Sequence, residues 1–395
     1  MCRICPHFAA ACRFAIHGST TLVVMSTVIR VSSPLSLLAL VPHLLHCTPR
    51  RSLVLIPFAK SRSLAALRVD LPADDSPDLP RVASTVIGMA CKVPLADAVT
   101  VIVYTDDAVV GSDPLPHGAL LDAVRERAHI CGLRLVDALV VGANGWSSYL
   151  DPAIAGEHGL DEISAAGPEL PEASPHHDQA AGASLPTVDL AEKERLGRAL
   201  DDVDRLLDIP RRRDRLSVSR RRAAEAILDE LSDPPALFES VLDPLSAPDG
   251  RHRLASLAFA LERPMLRDVA LMQWVGDITA GDAVFQAQTR FPDGVGYPED
   301  LARPMWGEGA QPDLDRLLIA LERCRQVAAT TPRSRRPGPL AACAWLAWAT
   351  GRGTHAAFYA QSALEIDPEH GLGAIVLTLA DSGRLPEWLF ERVPR

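Results

Sequence analysis

The chain has 395 residues, 50 acidic against 40 basic, a formal net charge of -10, and 48% hydrophobic residues. This is an ordinary globular balance, and it argues against a dedicated nucleic-acid binder, which needs a basic field over its contact face. The charge is uneven: the first 69 residues hold eight basic side chains and no acid, so the remainder carries -18.

Residues 1–30 read as a leader that is either untranslated, with Met25 as the start, or without fixed structure. Arg13, His17 and the polar run from Gly18 to Thr21 interrupt any secretory apolar segment. Cys2, Cys5, His7, Cys12 and His17 include a Cys-x-x-Cys pair, but no second ligand pair follows at zinc-finger spacing. Ser33 before Pro34, with Leu35, Leu37, Leu38, Leu40, Val41, Leu44 and Leu45, predicts a capped helix that Pro42 bends or ends. Leu53–Phe58 and Leu67–Leu71 predict a hairpin joined by eight residues. Pro80–Cys91 and His117–Ile130 predict helices, and Val99–Tyr104 and Leu133–Val141 predict strands.

This order implies an α/β layer domain with a mixed sheet over residues 31–150. Its two helical crossovers make the last three strands run parallel. Asp70, the Thr105-Asp106-Asp107 turn and the Asn144-Gly145-Trp146 turn then emerge along one edge, where open α/β sheets bind ligands. Residues 151–188, with Pro152, Pro168, Pro171, Pro175 and Pro186, read as a flexible connection.

Residues 189–395 read as a helical domain. Apolar residues recur every three or four positions in Asp189–Ile209, Arg213–Leu231, Arg253–Glu262, Met265–Val275, Leu314–Ala329, Leu340–Ala349 and Thr354–Ile366. Phe291–Pro312 reads as a loop. Gly351, Gly353, Ala356, Ala360, Ala363-Leu364 and Asp367-Pro368 are similar to the latter half of a tetratricopeptide repeat; with no second copy they read as a helical hairpin within a bundle.

Ser33-Pro34, Leu37-Leu38-Ala39, Val41-Pro42-His43-Leu44-Leu45, Pro49 and Ser52-Leu53-Val54 together resemble the opening of an actinobacterial family, domain of unknown function 4192. Arg68-Val69-Asp70-Leu71-Pro72, Val103-Tyr104-Thr105-Asp106, Trp146 with Ser148-Tyr149, Arg267-Asp268 and Ala344-Trp345 through Trp388 extend the likeness across roughly residues 31 to 390. The chain departs from the family pattern at His46, at Arg51 and in the segment after Asp151. The resemblance implies a fold and no activity.

Several chemistries are excluded. No Gly-Lys-Ser/Thr is present, so there is no standard P-loop, and neither Gly-x-Ser-x-Gly nor His-Glu-x-x-His occurs. His176-His177-Asp178 lies in the flexible connection. The candidate metal ligands are Asp70, Asp106 and Asp107, since carboxylates gathered at a sheet edge suit Mg2+; the alternative is that they terminate strands and shape turns. Asn144, Trp146 and Tyr149 complete the candidate ligand-binding set, with the aromatic pair either stacking on a ligand or covering the sheet. Arg211–Arg222 holds seven Arg in twelve residues, but acids surround it, which favours a solvated helix face paired with Asp201, Asp202, Asp204, Asp208 and Glu225.

Eight scattered cysteines without framework spacing predict reduced, mostly buried thiols in a cytoplasmic protein. Two functions follow as expectations. One is a non-catalytic regulatory or protein-interaction protein; the other is a metal-assisted phosphoester or nucleotide-binding enzyme using the edge carboxylates. The first needs a protein partner, and neither calls for a membrane or nucleic acid.

Overall fold

The computed structural model describes residues 10–14, 27–31, 33–45, 47–60, 62–151, 158–167, 181–207, 216–243, 251–291 and 296–390. Met25, the Cys-x-x-Cys pair and His176-His177-Asp178 lie outside them. The chain divides into two compact units, Met1–Ala181 and Gly182–Arg395, and the division falls inside the stretch 151–188.

In the first unit the elements are β1 (Ala10–Phe14), β2 (Thr27–Val31), α1 (Pro34–Leu45), β3 (Ser52–Ala59), β4 (Arg62–Ser63), β5 (Leu67–Asp70), α2 (Leu79–Lys92), β6 (Ala98–Tyr104), α3 (Gly118–Ile130), β7 (Arg134–Val141), β8 (Trp146–Ser148) and α4 (Leu160–Ala165). They form a mixed sheet ordered β2-β1-β4-β3-β6-β7-β8, with β5 also paired to β3. Two of these strands, β1 and β2, fall within or at the end of the stretch read as a leader.

The hairpin of β3 with β5 is antiparallel as expected. The two strands pair only from Ser52 with Asp70 to Leu55 with Leu67, and within the connection Arg62–Ser63 pairs back onto Phe58 and Ala59. β5, β6 and β7 do run the same way, since β5 and β6 each lie antiparallel to β3 while β6 and β7 are parallel. The unforeseen feature is β3 itself, inserted between β5 and β6.

The core follows the pleat. Val54, Ile56 and Phe58 on β3, with Ile102 and Tyr104 on β6, pack against Leu37, Leu38, Leu40 and Val41 of α1. The alternate residues Leu53 and Leu55 are just as buried, so both faces are covered and the strand reads as a continuous apolar run. The Ser33 hydroxyl accepts from Ser36 N at 3.2 Å, the predicted cap of α1. Pro42 does not end α1, which continues to Leu45. α2 and α3 pack on each other, α2 also on β3 and α3 on β7. α4, inside the segment read as flexible, packs against α1.

The second unit contains α5 (Leu190–Leu207), α6 (Val218–Glu230), α7 (Pro234–Ser240), α8 (Arg251–Leu261), α9 (Pro264–Val275), α10 (Ile278–Arg290), α11 (Glu299–Ala302), α12 (Leu314–Thr330), α13 (Pro337–Ala349), α14 (Gly353–Leu364) and α15 (Gly371–Asp381). Three longer helices escaped periodicity for identifiable reasons. α7 opens on Pro-Pro, α10 carries Gly281 and Thr279, and α15 is too uniformly apolar to show a face. The expected loop Phe291–Pro312 holds α11 and a 3-10 turn at Arg303–Trp306.

α13 (PGPLAACAWLAWA) has no charged residue and is buried at every position, as a helix apolar all round must be. Around it four indole N–H groups each find a carbonyl: Trp274 donates to Phe238, Trp345 to Met305, Trp348 to Arg384 and Trp388 to Ala349. α13 packs against α14, and α14 against α15. Among the described residues no helix is long and apolar enough to cross a membrane.

Candidate functional site at the carboxyl edge of the sheet

Strand register sets the edge. Asp70, Ser52, Tyr104, Val141 and Trp146 are paired neighbour to neighbour across β5, β3, β6, β7 and β8. Adjacent strands lie about 4.8 Å apart, so Asp70 and Tyr104 are separated by about 10 Å of sheet. Asp70 turns to Arg68, whose Nη1 donates to it at 2.9 Å and to Ser52 Oγ at 2.7 Å. Asp107 instead accepts from Thr105 Oγ1 at 2.6 Å. The three carboxylates therefore do not gather on one ion. Among the described residues no group of three or more His, Cys, Asp or Glu is arranged to hold a metal. The strand inserted between β5 and β6 is the physical reason: it moves Asp70 away from the Asp106-Asp107 turn.

What does assemble there is an imidazole between two carboxylates. His117 occupies the N-cap position of α3 with φ 59°, a left-handed backbone that costs a non-glycine residue energy and is found preferentially at functional sites. Its side chain is 6% exposed. Nε2 lies 3.3 Å from Thr105 Oγ1 and 3.4 Å from an Asp107 oxygen. Nδ1 makes no hydrogen bond, and the nearest carboxylate oxygen, on Asp74, is 3.8 Å away. Asp74 also accepts from the His117 backbone N–H at 3.3 Å, which holds the strained turn. Such a carboxylate, imidazole and hydroxyl chain can carry a proton, and its outer carboxylates can meet a cation.

The remaining candidate residues fasten the loops. Asn144 Oδ1 accepts from Val109 N at 2.7 Å and Val110 N at 3.1 Å, while its Nδ2 donates to Val110 O at 3.0 Å. The Tyr149 hydroxyl donates to Pro116 O, and burial, reinforced by nearby Asp74, pushes its pKa up. Trp146 is buried and stacks on His158 with centroids 4.7 Å apart, the covering role rather than an exposed platform. Gly142 and Gly145 permit this closeness: a Cβ would sit 2.3 Å from Asp107 O at the first and 2.2 Å from His158 O at the second. Beneath the edge, Asp137 is buried and accepts from Ser148 Oγ at 3.0 Å; burial raises its pKa despite that bond.

Asp70, Asp107, Asn144, Trp146 and Tyr149 thus lie at or beside the edge as predicted, with Asp106 on the exposed turn between Thr105 and Asp107. Asp74, His117, Asp137 and His158 were missed. The available signal for His117 was a ring-bearing residue between Pro116 and a helix start at a strand's carboxyl end. For Asp137 there was none, because one acid inside an apolar strand reads as an outward position.

A family model described as Domain of unknown function (DUF4192) matches residues 34–292. The chain belongs to that family. The DUF4192 match contains every edge residue named above, together with Arg267-Asp268, and stops before α12. It is narrower than the likeness read from the sequence, since Ala344-Trp345 and the α13–α14 hairpin lie beyond it. No curated protein and no solved structure matches the chain.

Proposed function

We propose that this DUF4192 member is a non-catalytic regulatory or protein-interaction protein whose α/β unit offers its carboxyl edge to a partner bearing a basic segment. One observation carries the reading. The edge loops 70–78 and 105–117 contain seven Asp and no Lys or Arg. Asp70, Asp74 and Asp107 have side chains 87%, 56% and 62% exposed. These loops are tied down by Asn144, Tyr149 and Asp74, so the carboxylates form a preset array. Such an array accelerates encounter with a cationic partner and disfavours acidic ones.

In this reading the exposed side of α14, in a hairpin similar to the latter half of a tetratricopeptide repeat, supplies a second contact face, and the setting is cytoplasmic. The rival, a metal-assisted phosphoester or nucleotide enzyme, needs Asp70, Asp106 and Asp107 around Mg2+; the pairing of Asp70 with Arg68 counts against it. The test compares affinity capture from the native host by the natural chain and by an Asp106→Asn/Asp107→Asn double variant. The same basic partner should be recovered by the first, released by salt, and lost from the second. Equal recovery by both would defeat the proposal.

A further inference from the structure

The thiols depart from expectation in an informative way. Cys324 and Cys343 are buried in the helical unit as predicted, but Cys91 and Cys131 are exposed. Cys91 stands in the last turn of α2, and Cys131 follows the last residue of α3. Both helices leave the carboxyl edge and return to the opposite end of the sheet, so their C-termini arrive side by side, and they pack on each other along the way. Cys131 is near enough to the Cys91 thiol to act on it electrostatically. Two exposed thiols at the ends of helices that pack on each other, 40 residues apart in sequence, are placed to exchange with one another.

We propose that Cys91 and Cys131 are a redox-sensitive dithiol that closes to an intramolecular disulfide by exchange with a low-molecular-weight disulfide. The exchange balances in two steps. The thiolate of one cysteine attacks a sulfur of the small disulfide, breaking its S–S bond, forming a mixed disulfide and releasing one small thiolate. The second cysteine, deprotonated, then attacks the protein-side sulfur, forming the Cys91–Cys131 bond and expelling the second small thiolate. The protein is oxidised by two electrons and loses two protons, and the small disulfide is reduced to two thiols. Adjacency makes the second step intramolecular and hence fast relative to exchange with a further small molecule.

Burial and the neighbouring sulfur raise the Cys91 pKa, so little of this thiol is thiolate at neutral pH and its exchange is slow until the disulfide pool rises. In a reducing compartment such pairs are transient and regulatory rather than permanent staples. The closed bond would join the C-termini of α2 and α3. Because α3 begins at His117, this couples the redox state to the element that frames the carboxyl edge.

The full chain is incubated, folded, with oxidised glutathione, its remaining thiols are alkylated, and it is mapped after trypsin. The expected product joins the peptide of residues 82–92 to that of residues 128–134, with intact mass reduced by two hydrogens. Cys91→Ser should leave Cys131 as a persistent glutathione mixed disulfide, and Cys131→Ser should do the same for Cys91; both sites are exposed, so neither variant threatens folding. Persistent mixed disulfides on both cysteines of the natural chain, or no reaction at either, would overturn the proposal.

Discussion

The two units place their polar side chains in opposite ways. In the α/β unit the strands β3, β6 and β8 are buried, and most of the polar groups that matter collect where strands end: Asp70, Thr105, Asp107, His117 and Asn144. In the helical unit they pair from one helix to another along the bundle. Asp202, 6% exposed, is gripped through two nitrogens by Arg220; Glu239 accepts from Arg316 and from the fully buried Gln273; Arg335 spans Glu262, Asp204 and Asp201. The difference has a backbone origin. A sheet spends its N–H and C=O groups between strands and packs flat faces on helices, so polar side chains find room chiefly at the edges. A helix satisfies its own backbone, so a long charged side chain fits at any position where a neighbouring helix brings the opposite charge. Function is therefore sought at the edge in one unit, whereas the charges of the other are first of all architecture.

The most severe challenge to this contrast is Trp274→Ala. Trp274 is fully buried, and its indole holds Phe238 O. Removing it should cost about 3–5 kcal/mol, seen by urea unfolding as an early transition confined to the helical unit. A single cooperative transition shifted as a whole would mean that the two units do not keep separate stabilities.

A smaller effect is expected at the edge. Asn144→Ala strands the N–H groups of Val109 and Val110 and should cost about 1–3 kcal/mol, with faster amide exchange in loop 105–117 and none in the helical unit. No change would show that the loop is not clamped. The smallest effect concerns pH. Hydrogen bonds from Arg316 hold the Glu239 carboxyl below the usual glutamate range. Its contribution is thus complete above the unfolded-state value of about 4.3 and is lost as pH falls through the lower folded value. Glu239→Gln should flatten the acid limb of a Tm-against-pH profile, and an unchanged limb would remove this network from the stability account.

The legibility of these features depended on range. Ser33 capping α1, the V-T-V-I-V-Y strand and the helix over Leu340–Ala349 were visible because capping and apolar runs are written in neighbouring residues. The pairing of Arg220 with Asp202 and of Arg221 with Glu225 bears out the paired-face reading of the basic run over its described part, although Asp202 is buried rather than solvated. Hidden from the sequence were the insertion of β3, the dispersal of the three carboxylates, the left-handed His117 and the meeting of Cys91 with Cys131. Each requires knowing which distant segment lies alongside.

Composition, alternation and the order of elements therefore determined by themselves that this chain holds a mixed α/β sheet followed by helices, and that Asp70 and the Asp106-Asp107 turn emerge at one sheet edge. Tertiary structure alone decided which of those acids meet: β3 enters between β5 and β6 and keeps Asp70 apart from Asp107, which closes with Asp74 on His117. Periodicity reports which face of an element is apolar, but strand order is set by long-range pairing, and the partners of a charged side chain are set by strand order.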